Sequence, residues 1–157
     1  DLKQPIVLVC EEGKEEEAVL RLARVGYDNT KGFLKGGFAT WKNAGKNTDK
    51  IQNISDDSLA GKMKNEKLSI VDTRKPGEYT AGHVDDALSY PLDFINDHLN
   101  DLDKNKTHYL HCKSGYRSLI AASILKRNGY NNLVDILGGY TDIEKTSIPK
   151  TCAACAS

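Results

Sequence analysis

An internal repeat constrains the fold of this chain more strongly than any other feature of its sequence. Residues 5–45 align with residues 107–147, and in each copy an apolar strand, a loop, a helix, a short apolar strand, a Gly-Gly turn and a final helix follow in order. The alignment pairs Cys10 with Cys112, Gly13 with Gly115, Gly26-Tyr27 with Gly129-Tyr130, and Gly36-Gly37 with Gly138-Gly139. Strands that alternate with helices predict a parallel α/β sheet. The copies are offset by about 100 residues, which is the size of a small domain.

The residues between the copies predict further elements of the same kind. Residues 51–54 form a first short strand, Ser55 caps a helix that runs to about Asn65, and residues 68–72 form a buried strand. We also expect a brief helical segment around Glu78, a strand at 88–90 and a helix over 92–102. Five strands interleaved with helices therefore fit between about Lys46 and Ile148, a range that includes the second copy. The first copy has no such residues in front of it.

Composition and cysteine usage narrow the class of protein. The 157 residues carry 22 Lys and Arg against 22 Asp and Glu, so net charge gives no reason to expect nucleic acid as a partner. No apolar run is long enough to span a membrane, and nothing at the start resembles a signal peptide. The four cysteines predict free thiols in a reducing, cytoplasmic compartment. No set of residues has the spacing of metal ligands.

The segment 112–118, with the sequence CKSGYRS, carries the candidate chemistry. It follows the apolar run 107–111 and precedes a helix that we expect to begin at Ser118. A thiol in this position lies where backbone N–H groups and the positive end of the helix dipole converge. A free thiol has a pKa near ~8.5, and such surroundings bring reactive cysteines to roughly 3.5–7.5. We therefore predict that Cys112 is a nucleophile, largely ionised at neutral pH.

The second half of the chain resembles a rhodanese-like domain. The resemblance rests on Asp72-Thr73-Arg74, Glu78-Tyr79, Gly82-His83-Val84, Ala87, Pro91-Leu92, the loop 112–118 and Gly138-Gly139. It implies a small doubly wound fold, with a parallel five-stranded sheet flanked by helices and Cys112 as the sulfur-carrying nucleophile. The last helix departs from the family, because Tyr140 and Ile143 stand where many members carry a Trp, as Trp41 does in the first copy.

The length of the loop favours sulfur over phosphate as the transferred group. Four residues separate Cys112 from Arg117, whereas protein tyrosine phosphatases carry five before their Arg. A shorter loop makes a tighter ring of N–H donors, which suits a single sulfane sulfur. Attack on a sulfur–sulfur bond also needs little besides an activated thiolate, because sulfite or a thiol of low pKa departs without a proton.

These observations predict a sulfurtransferase that needs no cofactor. Cys112 would take the outer sulfur of thiosulfate or of a small persulfide and pass it to a thiol or cyanide acceptor. Arg117 and Lys113 would hold the anionic tail of the donor, while the backbone of residues 113–118 cradles the terminal sulfur. Ser114, Gly115, Tyr116 and Ser118 complete this predicted binding loop.

Two other functions stay open at this point. A Cys-dependent phosphatase or arsenate reductase would use the same thiol and Arg on a loop of phosphate size, and the four-residue gap argues against it. Alternatively, the domain is a non-catalytic regulatory or docking module, against which the intact Cys112 and Arg117 count.

Arg74 and His83, which belong to the resemblance, and His111 are expected to have structural roles. An ion pair between Arg74 and Glu78, four residues apart, is the expected use of Arg74. His83 is expected to make structural hydrogen bonds. His111 should point to the opposite face of its strand from Cys112, and is therefore expected to be structural as well.

The first copy is expected to be inactive in sulfur transfer. Its loop, CEEGKEEE, places Glu11 where the second copy has Lys113 and Glu15 where it has Arg117. Five carboxylates around Cys10 would raise the pKa of its thiol and repel anionic donors.

The expected domain organisation follows from the repeat. Residues 1–45 are the C-terminal half of a degenerate rhodanese-like domain, 46–50 a linker, 51–148 a complete domain and 149–157 a tail. The half domain predicts a parent with tandem domains, for which the resemblance suggests an upstream metallo-β-lactamase-type domain. The open apolar edge of the half domain would be covered by the other domain or by a second copy, as in a homodimer.

Cys152 and Cys155 are interpreted as incidental thiols of a frayed tail, or alternatively as a sulfur acceptor or redox pair.

Overall fold

The computed structural model describes residues 1–152, and the chain divides into two compact units. The first unit comprises Asp1–Lys50, and the second begins at Ile51. Among the described residues no helix is long and apolar enough to cross a membrane.

The first unit is small and contains four elements. They are β1 (Ile6–Leu8), α1 (Glu15–Ala23), β2 (Thr30–Phe33) and α2 (Gly37–Asn43). β1 and β2 pair in parallel as a two-stranded sheet. The order of elements is the one that the repeat predicts for each copy.

The second unit contains the remaining elements. They are β3 (Gln52–Ile54), α3 (Asp56–Met63), β4 (Ser69–Asp72), α4 (Pro76–Ala81), β5 (Gly82–Val84), β6 (Leu88–Ser89), a 3-10 helix (Leu92–Asp97), β7 (His108–His111), α5 (Tyr116–Arg127), β8 (Leu133–Ile136), α6 (Tyr140–Ile143) and β9 (Lys150–Cys152). α3 begins as predicted, because the Ser55 hydroxyl accepts a hydrogen bond from the Ser58 N–H.

The main sheet has five strands in the order β3-β8-β7-β4-β6, and every pair is parallel. Successive side chains of a strand point to opposite faces. Ile70 and Tyr109 accordingly pack on one face with Leu59 and Ile143, while their neighbours Val71 and Leu110 pack on the other face against the helix α5. The predicted doubly wound α/β architecture is confirmed.

The segment 92–102 is only partly helical, contrary to prediction. A 3-10 helix covers Leu92–Asp97, and the chain beyond it is irregular. Asn and Asp compete for backbone hydrogen bonds and favour turns, and five of them lie between residues 96 and 103. The Tyr130 hydroxyl hydrogen-bonds to the carbonyls of Leu99 and, at 3.0 Å, Leu102 in place of helical partners. The Leu102 side chain is buried.

A small antiparallel ladder was not predicted. β5 pairs with β9 through Gly82–Cys152, His83–Thr151 and Val84–Lys150. The interpretation of the tail as frayed is therefore wrong for Lys150–Cys152. Cys155, the second thiol of that prediction, lies outside the described residues.

Candidate active site

Cys112 lies directly after β7, at the carboxyl edge of the parallel sheet, where α/β folds place their functional groups. Its neighbour at this edge is Thr73, whose N–H and hydroxyl both donate to the His111 carbonyl at 2.9 Å. These bonds hold the end of β7 beside the end of β4. Only 1% of Cys112 is exposed.

The loop after Cys112 is shorter than the sequence suggested. α5 begins at Tyr116, two residues before the predicted start, with Gly115 as its N-cap in the left-handed conformation at φ 97°. A left-handed cap is inexpensive for glycine, which lacks a Cβ, so the chain enters the helix immediately. Tyr116 and Arg117 consequently belong to the first turn of the helix.

Hydrogen bonds from the loop converge on the sulfur of Cys112. The Gly115 N–H donates to Sγ at 3.1 Å, and the Ser118 Oγ lies 3.7 Å from it. Burial by itself would raise the pKa of Cys112, but hydrogen bonds from the backbone of Ser118, Ser114 and Gly115 and from the Ser118 hydroxyl lower it further than burial raises it. The net pKa lies below that of an ordinary thiol.

The Gly-Gly turn and the start of α6 support the other side of the loop. The Tyr140 N–H donates to the Cys112 carbonyl at 2.7 Å, and the Thr141 N–H donates to that of Lys113 at 3.1 Å. Gly139 has φ 61°, and a Cβ at this position would lie 2.5 Å from the Cys112 carbonyl oxygen. Only a glycine allows this approach.

Arg117 makes an ion pair that was not predicted. Its Nη1 lies 2.6 Å from Glu78 Oε2 and its Nη2 lies 3.0 Å from Glu78 Oε1, so the contact is bidentate. The two side chains are 26% and 31% exposed. The hydrogen bonds from Arg117 lower the pKa of Glu78 to about 2, and those to Glu78 raise the pKa of Arg117, to which the nearby Cys112 also contributes.

The predicted ion pair between Arg74 and Glu78 is wrong. Arg74 instead makes a buried bidentate contact with Asp72, with its Nη2 at 2.6 Å from Oδ2, and it also donates to the Gly82 carbonyl. Its guanidinium stacks on the Tyr140 ring at 3.8 Å. Asp72 is fully buried and requires a partner, which leaves Glu78 available to Arg117.

His83 and His111 both contact neighbouring protein groups. His83 stacks on Tyr79 at 3.8 Å, and its Nδ1 lies 2.9 Å from the Tyr79 carbonyl oxygen. His111 is fully buried, and this burial lowers its pKa despite Asp72 at 3.8 Å.

The other predicted loop residues differ in their surroundings. Ser118 is buried, and its hydroxyl also lies 3.1 Å from the Gly115 carbonyl. Lys113, Ser114 and Tyr116 are exposed, and Tyr116 is exposed to 76%. The loop therefore presents these side chains to solvent around a buried sulfur.

Sequence reasoning missed two residues near the loop. The sequence predicts Arg74 as the partner of Glu78, whereas the observed contact with Arg117 joins residues 39 positions apart. Asp135 on β8 is buried, and its pKa is raised by that burial in spite of a hydrogen bond from Ser118. An acidic residue within an apolar strand was the signal that could have pointed to it.

The equivalent loop of the first unit has a similar backbone and different charges. Gly37 has φ 58°, and a Cβ there would lie 2.5 Å from the Cys10 carbonyl oxygen, as at Gly139. Glu11 is exposed, and Glu17 pairs with Lys14 and Arg21 at 3.2 and 2.6 Å. Within the described part of the chain, no group of three or more His, Cys, Asp and Glu residues could hold a metal ion.

Comparison with known proteins finds similarity to one domain family and to proteins named for sulfur transfer. The model of the rhodanese-like domain family matches residues 55–146. The "Putative sulfur carrier protein YrkF" of Bacillus subtilis is 30% identical over 109 residues, which are 69% of this chain and 57% of that protein. A "Sulfurtransferase" of Allochromatium vinosum is 28% identical over 100 residues, or 63% of this chain and 94% of that protein.

A solved structure agrees with this family match. The crystal structure of a rhodanese-like domain protein from Staphylococcus aureus is 33% identical and has a TM-score of 0.57. The similarity covers 59% of this chain and 91% of that one.

Proposed function

Because the chain belongs to the family of rhodanese-like domains, we propose that its second unit is a sulfurtransferase with Cys112 as the nucleophile. The observation that carries the proposal is the hydrogen-bonded state of the sulfur. Gly115 N–H donates to Sγ at 3.1 Å, and the loop lowers the pKa of the thiol although it is buried. A thiolate is the species that attacks sulfur.

The proposed first half of the reaction loads a sulfur atom onto Cys112. With thiosulfate, a bond forms from Sγ to the outer sulfur while the bond between the two thiosulfate sulfurs breaks, and sulfite leaves with the electron pair. With a persulfide RSSH, the RS–SH bond breaks, the thiolate RS⁻ leaves with the pair, and the proton stays on the transferred sulfur. Both routes are exchange at sulfur and require no external oxidant or reductant.

In the second half, an acceptor attacks the outer sulfur of the Cys112 persulfide. A thiolate acceptor becomes a persulfide and cyanide becomes thiocyanate, and in each case the Cys112 thiolate leaves with the electron pair. The N–H groups that stabilise this thiolate at rest also stabilise it as a leaving group.

The proposed binding roles follow from exposure. The side chains of Lys113, Ser114 and Tyr116 are exposed and would contact the donor or acceptor. Gly115 and Ser118 contact the sulfur itself. Arg117, in the first turn of α5, would hold the anionic part of the donor. It would do so while it also contacts Glu78.

Intact-protein mass spectrometry tests the proposal. After treatment with thiosulfate or glutathione persulfide, the chain should gain one sulfur atom, which cyanide then removes as thiocyanate. The Cys112→Ser variant should gain none at this site. Absence of the added sulfur with both donors would overturn the proposal and favour a non-catalytic docking module, whereas hydrolysis of a phosphate ester would indicate a phosphatase.

A further inference from the structure

The charge of Arg117 is compensated within the site. Glu78 contacts both terminal nitrogens of the guanidinium, at 2.6 and 3.0 Å, and both side chains are about a quarter to a third exposed. A bidentate contact of this kind restricts the geometry and offsets the charge of both partners. Since the pKa of Glu78 is about 2, the pair stays intact at neutral pH.

The other cations at this edge of the sheet are paired or exposed. The buried cation Arg74 is offset by Asp72 at 2.6 Å. Lys113 is exposed and Lys75, at the start of α4, is exposed too, so solvent and salt weaken their effect. Cys112 itself adds a negative charge when it is ionised.

The ionised Cys112 thiolate therefore opposes an anionic donor, and Glu78 offsets the attraction that Arg117 would exert on it. Thiosulfate carries two negative charges. The attack of Cys112 on its outer sulfur expels sulfite, which carries two negative charges as well. A persulfide of an uncharged thiol carries at most one. The Coulomb cost of placing a donor beside Glu78 rises in proportion to the charge of that donor.

We propose that Glu78 is a specificity-determining residue, which by offsetting Arg117 makes the site prefer persulfides of low charge over the thiosulfate dianion. This inference rests on the proposed function, because it names the donor class for the same Cys112 site. It differs from a purely structural role for Glu78, which would affect all donors alike.

The test compares two donors on the whole chain. The rate of sulfur loading on Cys112 is measured by quenched mass spectrometry with thiosulfate and with 2-hydroxyethyl persulfide, and the ratio of the two second-order rate constants for loading is the readout. In Glu78→Gln this ratio should move towards thiosulfate by roughly five- to tenfold at low salt, since one negative charge is lost. The gain should shrink as salt is added.

Matched variants separate charge from structure. Glu78→Asp keeps the charge and should keep the wild-type ratio, and the double variant Glu78→Gln/Arg117→Gln removes both charges and should return the ratio towards wild type. Glu66→Gln removes a carboxylate beside Ser69 and Thr107, at the opposite edge of the sheet, and should leave the ratio unchanged.

Different results would contradict the specificity role of Glu78 and the proposed sulfurtransferase function. Equal slowing with both donors in Glu78→Gln, or an unchanged ratio in a variant that still unfolds cooperatively, would overturn the specificity role. If the wild-type chain acquires no sulfur from either donor, the proposed function itself is wrong.

Discussion

Cys112 combines two properties that usually oppose one another, burial and a lowered pKa. Burial disfavours a thiolate, but the Gly115 N–H at 3.1 Å and the other donors of the loop favour it more strongly. The balance depends on a few short contacts in a place where solvent screens little. Single donors should therefore have measurable effects on the ionisation of the thiol.

Replacing Ser118 with Ala tests one of these donors. The hydroxyl helps to lower the pKa of Cys112, so Ser118→Ala should raise that pKa. The thiolate exists above its pKa and is lost as pH falls through it, so loading should decline at a higher pH than in wild type. Rates near the acid end should drop by about threefold to tenfold, while rates at alkaline pH stay similar. The pH profile of loading is the measurement, and coincident profiles would contradict the prediction.

At the scale of elements, the site depends on α4, α5 and the turn before α6 meeting at the end of β7. Glu78 on α4 contacts Arg117 on α5, and the backbone of Tyr140 and Thr141 hydrogen-bonds to that of Cys112 and Lys113. Because Gly139 lies against the backbone of Cys112 and Lys113, these contacts should depend on the absence of a side chain at position 139.

Gly139→Ala should damage both stability and loading. Its Cβ would lie 2.5 Å from the Cys112 carbonyl oxygen and 2.8 Å from that of Lys113, at a positive φ. We expect a loss of about 1–3 kcal/mol in the free energy of unfolding and a slower rate of loading, measured by denaturant unfolding and mass spectrometry.

Gly61→Ala is the control for this substitution. Gly61 lies within α3, and a Cβ there meets no atom within 4 Å. Alanine should stabilise the helix by about 0.5–1 kcal/mol. A Gly139→Ala variant as stable as Gly61→Ala would show that the close approach is not required.

At the scale of the molecule, the two units contain one arrangement of loop and turn in different settings. The strand residue Tyr109 of the second unit is 7% exposed, whereas its counterpart Val7 in the first is 67% exposed. The neighbouring strands explain each exposure: β7 has β4 and β8 on its two sides, whereas among the described strands β1 pairs with β2 alone. The same order of elements therefore buries its strand residues to different extents in the two units.

Of Cys10 and Cys112, thiosulfate should load sulfur onto Cys112 alone. The carboxylates of Glu11 and Glu15 occupy the positions of Lys113 and Arg117, so Cys10 should repel anionic donors. Cys10→Ser should load one sulfur per chain at a rate within about twofold of wild type, as measured by peptide mapping. A persulfide on Cys10 after treatment with excess thiosulfate would contradict this expectation.

The sequence by itself determined the α/β class, the order of most elements and the position of Cys112 at the end of a strand. These follow from local signals, namely apolar periodicity, Ser55 as a cap and glycines at turns. The tertiary structure decided which charged groups meet. Asp72 takes Arg74 and Glu78 takes Arg117, because a buried carboxylate requires the nearest cation and the remaining pair joins segments that are distant in the chain. It also decided that residues 98–102 pack without a helix and that Lys150–Cys152 pairs with Gly82–Val84, since such contacts depend on the folded neighbours and not on local propensity.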